Sequence, residues 1–248
     1  MHDDRAQAAS RELDMNIRGF IDTSFVDWDK KVSCVVFTGG CNLRCSFCYN
    51  FGLVFHPEKF EEIPEDFIFE YLREHSDFID GVCITGGEPT VQSDLVEFCR
   101  KIKHLELDIK LDTNGTQPKN VEQLLKEKLV DYVAMDVKAP LEEKSYSTVA
   151  GVTFNGSFGN IKETIDIVIN SDIDHEFRTT VIPNIHTKKD IEDISKSITG
   201  AKRYYLQKFQ PHTRFDNLNK NKTQSDEEME ELVKVARRHV ANVEWRGR

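Results

Sequence analysis

Cys41, Cys45 and Cys48 stand in the spacing Cys-x3-Cys-x2-Cys, directly after an apolar run and the pair Gly39-Gly40. A compact loop so spaced can wrap an iron–sulfur cubane, three thiolates reaching three different irons. Ferredoxin-type clusters take four cysteines. A three-cysteine loop therefore leaves one iron open to another ligand, as a catalytic zinc keeps one position open. Phe47 stands between the last two thiols, where it can exclude water and help set a potential. The same cysteines also suit a Cys3His zinc site with His56, or a structural cluster completed by a distant cysteine.

A second group follows the apolar stretch GVCIT, where Gly86-Gly87-Glu88-Pro89 form a turn. Such a turn exposes backbone carbonyls and a carboxylate, which suit a cationic ligand. Taken alone it is equally a strand-to-helix turn with Glu88 near a helix N-terminus.

The elements that must position these groups alternate. Strand candidates are 32–38, 81–85, 107–112, 130–137, 175–182 and 203–209. Between them apolar residues recur at helical spacing: Val91, Leu95, Phe98, Ile102 and Leu105; Val121, Leu124, Leu125 and Leu129; Ile161, Ile165 and Val168; Met229, Leu232, Val233, Ala236 and Val240. Pro64 before EDFIFEYL suits the first turn of a helix. Strand–helix alternation implies parallel strands joined by right-handed crossovers. About six units, against eight in a full TIM barrel, give an α/β fold of incomplete (β/α)6 TIM-type barrel; an open doubly wound sheet shares the same periodicity. Residues 1–16 read as a flexible tail and 17–248 as a single partial-barrel domain. The non-periodic clusters GGCNLRCSFCYN, TGGEP, DTNG, DVKAP, IPN and QPH each follow a strand candidate, so a parallel barrel would gather them at one mouth.

The bulk properties agree with a globular protein of one ordinary core. The chain has 248 residues, 39% hydrophobic and 31% charged, with a formal net charge of −10. That acidity lacks the basic field a nucleic-acid partner calls for. No run approaches the roughly 20 apolar residues of a membrane helix, and the first dozen residues lack the apolar segment of a secretory signal. A cytoplasmic location is expected, and there six cysteines suggest metal or redox chemistry before disulfides. Cys34, Cys83 and Cys99 read as small core hydrophobes.

Cys-x3-Cys-x-aromatic-Cys, followed about forty residues later by Gly-Gly-Glu, resembles the signature of the radical S-adenosylmethionine (SAM) superfamily. The resemblance implies a [4Fe–4S] cluster on Cys41, Cys45 and Cys48, with Phe47 beside it. It also implies SAM chelated on the open iron, and Gly86, Gly87 and Glu88 receiving the SAM amino group. Across nearly the whole chain, GFIDTSFVDWDKKVSCVVFTGGCNLRCSFCYN, TGGEPT, LDTNGTQP and MDVKAP are similar to the glycyl-radical-enzyme activases, in particular those of anaerobic ribonucleotide reductase. Carried over, Asp112, Thr113 and Asn114 approach SAM from the third strand, and Asp136 with Lys138 from the fourth. Arg178 meets the SAM carboxylate or ribose, and His212 lines the adenosine pocket. On their own terms Asp-Thr-Asn-Gly is turn chemistry and Asp136/Lys138 an ordinary salt bridge. The expected partners are a large glycyl radical enzyme and a flavodoxin or ferredoxin electron donor, with no membrane and no nucleic acid.

Trp28-Asp29-Lys30 and Tyr49 depart from the Tyr-Pro-Gly and the histidine of many relatives, which bears on the substrate rather than on the cluster. Two rivals remain: a radical SAM enzyme acting on a small molecule, of the 7-carboxy-7-deazaguanine synthase kind, and an electron-transfer or structural iron–sulfur protein.

Overall fold

Ser33–Thr38 is apolar on both faces and forms β2, a strand buried on both sides as parallel sheets demand. The computed structural model describes residues 15–211 and 223–247. They group into two compact units.

The first unit holds 15–42, 50–112 and 123–131. In it β1 (Ile17–Ser24) runs antiparallel to β2, while β2 and β3 (Gly81–Gly86) are parallel, as are β3 and β4 (Asp108–Thr113). Helices α1 (Phe51–Phe55) and α2 (Glu65–Glu74) lie between β2 and β3 in the chain, and α3 (Leu95–Lys103) between β3 and β4. Helix α2 starts after Pro64 with Glu65 and Asp66 in its first turn, where acids oppose the positive helix end. Its Ile68, Phe69 and Leu72 are buried, as are Leu95, Phe98, Cys99 and Ile102 of α3. Trp28 is buried beside β3: a Cβ on Gly81 would come within 2.9 Å of its ring and 2.5 Å of the Asp108 carbonyl oxygen. Residues 1–14 of the expected tail lie outside the described residues. Met15 is buried, and its N–H donates to Glu65 Oε1 at 2.8 Å.

The second unit holds 43–49, 113–122 and the described residues from 132 onward. Its strands β5 (Tyr132–Asp136), β6 (Asp174–Val181), β7 (Tyr204–Lys208) and β8 (Val243–Gly247) pair in that order, all parallel. Helices α5 (Glu143–Ala150) and α6 (Gly159–Ile169) connect β5 to β6, α7 (Lys188–Ser197) connects β6 to β7, and α8 (Asp226–Ala236) precedes β8. Helix α4 (Pro118–Lys126) leads from β4 to β5. Strand register sorts the side chains. Met135, Phe177, Tyr204 and Val243 share an apolar face, while Asp136, Arg178, Thr180, Gln207 and Arg246 share the other, polar one.

All six expected strands are present, shifted by at most two residues at an end. The parallel α/β expectation therefore stands, and the strand count is corrected upward by β1 and β8. Both are edge strands within their units. β1 mixes Arg18, Gly19 and Asp22 into its run, and in β8 only Val243 is buried, so neither carries a continuous apolar signal. Val91 is a second correction: it belongs to the 3-10 turn Pro89–Val91 ahead of α3 and is exposed. Among the described residues no helix is long and apolar enough to cross a membrane.

Candidate functional site

Each unit carries its own share of the expected site residues. In the first unit β2 runs out into Gly39-Gly40-Cys41 and β3 into Gly86-Gly87-Glu88. The two chain segments are bonded backbone to backbone: Gly87 N–H donates to the Thr38 carbonyl at 2.8 Å, and Glu88 N–H to the Gly40 carbonyl at 2.9 Å. A Cβ on Gly87 would stand 1.7 Å from the Gly40 oxygen. One on Gly86, whose φ of +109° already disfavours side chains, would stand 2.4 Å from the Thr38 nitrogen. The glycine pair is thus required by close approach of main chains. Asn50 Nδ2 donates to the Gly86 carbonyl at 2.8 Å and Gln92 Nε2 to that of Gly39 at 3.0 Å. Beside Cys41, the place where a Gly40 Cβ would sit is open for 4 Å.

Glu88 differs from its expected form, an exposed carboxylate. It is buried, and its Oε1 accepts from Thr90 N–H at 3.1 Å and Thr90 Oγ1 at 2.5 Å, capping the 3-10 turn. Asp112, next to the end of β4, has its Oδ1 3.6 Å from the Lys110 ammonium.

In the second unit Arg44 N–H donates to the Ala150 carbonyl at 2.8 Å, and Cys48 N–H to the Cys45 carbonyl at 3.2 Å. Cys45 and Phe47 are buried. Burial pushes the Cys45 thiol up, partly opposed by the nearby Lys138 ammonium. That ammonium also lies 6.0 Å from the centre of the Phe47 ring. Asp136 is the hub of the charges: its Oδ1 accepts from Arg178 Nε at 2.9 Å and its Oδ2 from Lys138 Nζ at 3.2 Å. Burial alone would raise the Asp136 carboxyl, but the two cations outweigh it and hold it well below the usual range. Lys138 mirrors this: burial would lower it, and Asp136 holds it above its ordinary value. The structure thus joins Asp136, Lys138 and Arg178 in one cluster.

Thr113 and Asn114 are buried and bond within their own turn. Thr113 Oγ1 accepts from Gly115 N–H at 3.1 Å, and Asn114 Oδ1 from Thr116 N–H at 3.0 Å and Thr116 Oγ1 at 2.7 Å. His212 lies outside the described residues. Tyr49, which replaces the common histidine, holds the chain after β7: its hydroxyl donates to the Gln210 carbonyl at 3.1 Å and accepts from Gln210 N–H at 2.9 Å.

Sequence reasoning missed His186 and Tyr146, both on the Lys138 backbone: Tyr146 Oη accepts from its N–H at 3.2 Å, and His186 Nε2 lies 2.9 Å from its carbonyl oxygen. The signal for His186 was its place just after the Ile-Pro-Asn cluster that follows β6.

By the chemistry of its residues the donor set suits an iron–sulfur cluster, although among the described residues no three of His, Cys, Asp or Glu are grouped so as to hold a metal ion. None of the six cysteines is in a disulfide. Cys34, Cys83 and Cys99 are buried, which pushes each thiol up to about 12 and leaves them inert. Cys41, Cys45 and Cys48 alone sit on the irregular loop after β2. His56, the candidate fourth zinc ligand, is half-buried, with Nδ1 3.4 Å from Glu58 Oε1.

Comparisons with known proteins agree. The sequence profile of the Radical SAM superfamily matches residues 35–198. A candidate glycyl-radical enzyme activating enzyme of Methanocaldococcus jannaschii is 34% identical over 232 residues, 92% of this chain and 94% of that protein. A candidate GTP 3′,8-cyclase of Pyrococcus abyssi is 34% identical over 119 residues, 46% of this chain but 36% of its own length. Among solved structures, Streptococcus suis SuiB bound to S-adenosylmethionine matches with a TM-score of 0.64 at 18% identity, over 84% of this chain and 48% of that one. That likeness shows the fold, the partial barrel of these enzymes.

Proposed function

The chain belongs to the radical SAM superfamily, whose cofactors are a [4Fe–4S] cluster and SAM, and we propose that it activates a glycyl radical enzyme, in the first place an anaerobic ribonucleotide reductase. The observation that carries this reading is the likeness, across almost the full length of both chains, to a candidate activating enzyme. When bound and reduced, cluster and SAM supply a 5′-deoxyadenosyl radical able to take a hydrogen atom from a glycine Cα.

Cys41, Cys45 and Cys48 would hold the cluster, and Phe47 keeps water from its side of the loop. Gly86 and Gly87 let two main chains meet closely enough to present backbone carbonyls to the SAM amino group. Asp136, Lys138 and Arg178 form a charge cluster for the polar end of SAM, Lys138 and Arg178 facing its carboxylate while Asp136 orients both. Asp112, Thr113 and Asn114 would approach SAM from the end of β4. A flavodoxin or ferredoxin would supply the electron.

The second reading, action on a small molecule, has support in the partial likeness to a candidate GTP 3′,8-cyclase. The yield of 5′-deoxyadenosine separates the two. With SAM and dithionite it is expected to be slow alone and to rise when the reductase is added. Rapid turnover on GTP or another small molecule, with no response to any reductase, would move the chain to the second reading.

A further inference from the structure

We propose that His186 is a positioning residue for Lys138, holding the root of that side chain so that its ammonium meets SAM. This rests on the reading of Lys138 as a SAM-binding residue. Lys138 follows β5 and is gripped at three points. Asp136 takes its ammonium at 3.2 Å, Tyr146 Oη takes its N–H at 3.2 Å, and His186 Nε2 reaches its carbonyl at 2.9 Å. Without the last of these, the peptide after Lys138 has lost a fixed donor in a site where about 1 Å of misplacement matters.

The ring is itself fixed. Ile182 N–H donates to His186 Nδ1 at 2.9 Å, so Nδ1 must keep its lone pair. The proton therefore sits on Nε2 and points at the Lys138 carbonyl, a tautomer assigned by its partners. His186 N–H donates in turn to the Ile182 carbonyl at 3.0 Å, closing a tight loop from 182 to 186. The next residue, Thr187, begins the capping box of α7: Thr187 Oγ1 accepts from Asp190 N–H at 3.2 Å, and Asp190 Oδ2 accepts from Thr187 N–H at 2.8 Å. Helix α7 thus anchors the loop and the loop aims the ring. Burial holds the imidazole below its ordinary pKa, which favours the neutral form that both bonds need.

The backbone bond makes a sharp demand on chemistry: a donor toward Lys138 and an acceptor toward Ile182. A glutamine side chain can meet both; methionine fills the space with no donor for Lys138 and only a weak acceptor for Ile182. The test uses anaerobically reconstituted enzyme, titrated with SAM by calorimetry, with iron content and melting temperature measured beside it. His186→Met is expected to weaken SAM binding about tenfold with full iron content, and His186→Gln to recover to within about twofold of wild type. Lys138→Ala should weaken it at least as much as His186→Met. If His186→Met binds SAM like wild type while Lys138→Ala does not, the inference falls and the reading of Lys138 stands. Equal weakening by His186→Met and His186→Gln would show a role in bulk packing only and also overturns it. If Lys138→Ala binds SAM normally, both fall together.

Discussion

The GGE turn of the first unit and the Asp136/Lys138/Arg178 cluster of the second are built by opposite means. The first is made of main chain. Two strand ends approach so closely that Gly87 has no room for a methyl group, and two backbone bonds at 2.8 and 2.9 Å fasten them. The second is made of side chains: a carboxylate bonded to two cations at 2.9 and 3.2 Å on a polar sheet face. Main-chain contact is all-or-none, whereas a charge cluster can be weakened one member at a time.

That contrast orders the expected effects. Outside it stands the cluster itself: Cys41→Ala, Cys45→Ala or Cys48→Ala should each abolish iron loading on anaerobic reconstitution, while Cys34→Ala, Cys83→Ala and Cys99→Ala keep it. Retention of a normal cluster in any of the first three variants would falsify the ligand assignment. Next, Gly87→Ala should destabilise the fold by about 4 kcal/mol or more, because backbone rather than a movable side chain blocks the new methyl. Thermal melting checks this; a variant that melts within a few degrees of wild type would remove the main-chain half of the contrast.

Charge changes should be gentler and should act on binding. Lys138→Gln is expected to cost about 1–3 kcal/mol in SAM affinity with near-normal iron content. Glu88→Gln keeps the acceptor that caps the 3-10 turn, so its stability loss should stay below about 1 kcal/mol. Its SAM affinity should change less than that of Lys138→Gln. Titrating the two variants side by side sharpens the comparison, and the reverse order would give Glu88 the larger direct role.

The smallest effect is that of pH. Asp136 titrates below its ordinary value, so its contribution to stability is present above about pH 4 and is lost as pH falls through the depressed one. Lys138 titrates above its ordinary value, so its contribution is present below about pH 10 and is lost only as pH rises past the raised one. Stability from this pair should be flat across neutral pH, and Asp136→Asn should flatten the acid limb of a melting-temperature profile.

Sequence pattern was a good guide where function and fold leave a mark on neighbours. The cysteine spacing, the glycine pair and all six core strands were legible, since buried parallel strands read as unbroken apolar runs. β1 and β8 were not, because an edge strand buries too little to keep its polar residues out. For Glu88 the sequence offered a ligand-facing carboxylate or a place near a helix N-terminus; that it caps a 3-10 turn depends on Thr90 two positions on. Tyr146 left no trace and His186 only its place after the Ile-Pro-Asn cluster: each meets Lys138 through its backbone, which imposes no residue type at position 138.

The central claim, that this chain makes a glycyl radical on a partner protein, has a direct observable. Enzyme, SAM and dithionite are mixed anaerobically with an anaerobic ribonucleotide reductase, and the sample is frozen for electron paramagnetic resonance. The account predicts a glycyl doublet on the reductase, formed in step with 5′-deoxyadenosine and absent without SAM or with Cys45→Ala. Deoxyadenosine formed with no doublet on this reductase or any other glycyl radical enzyme tried would contradict it.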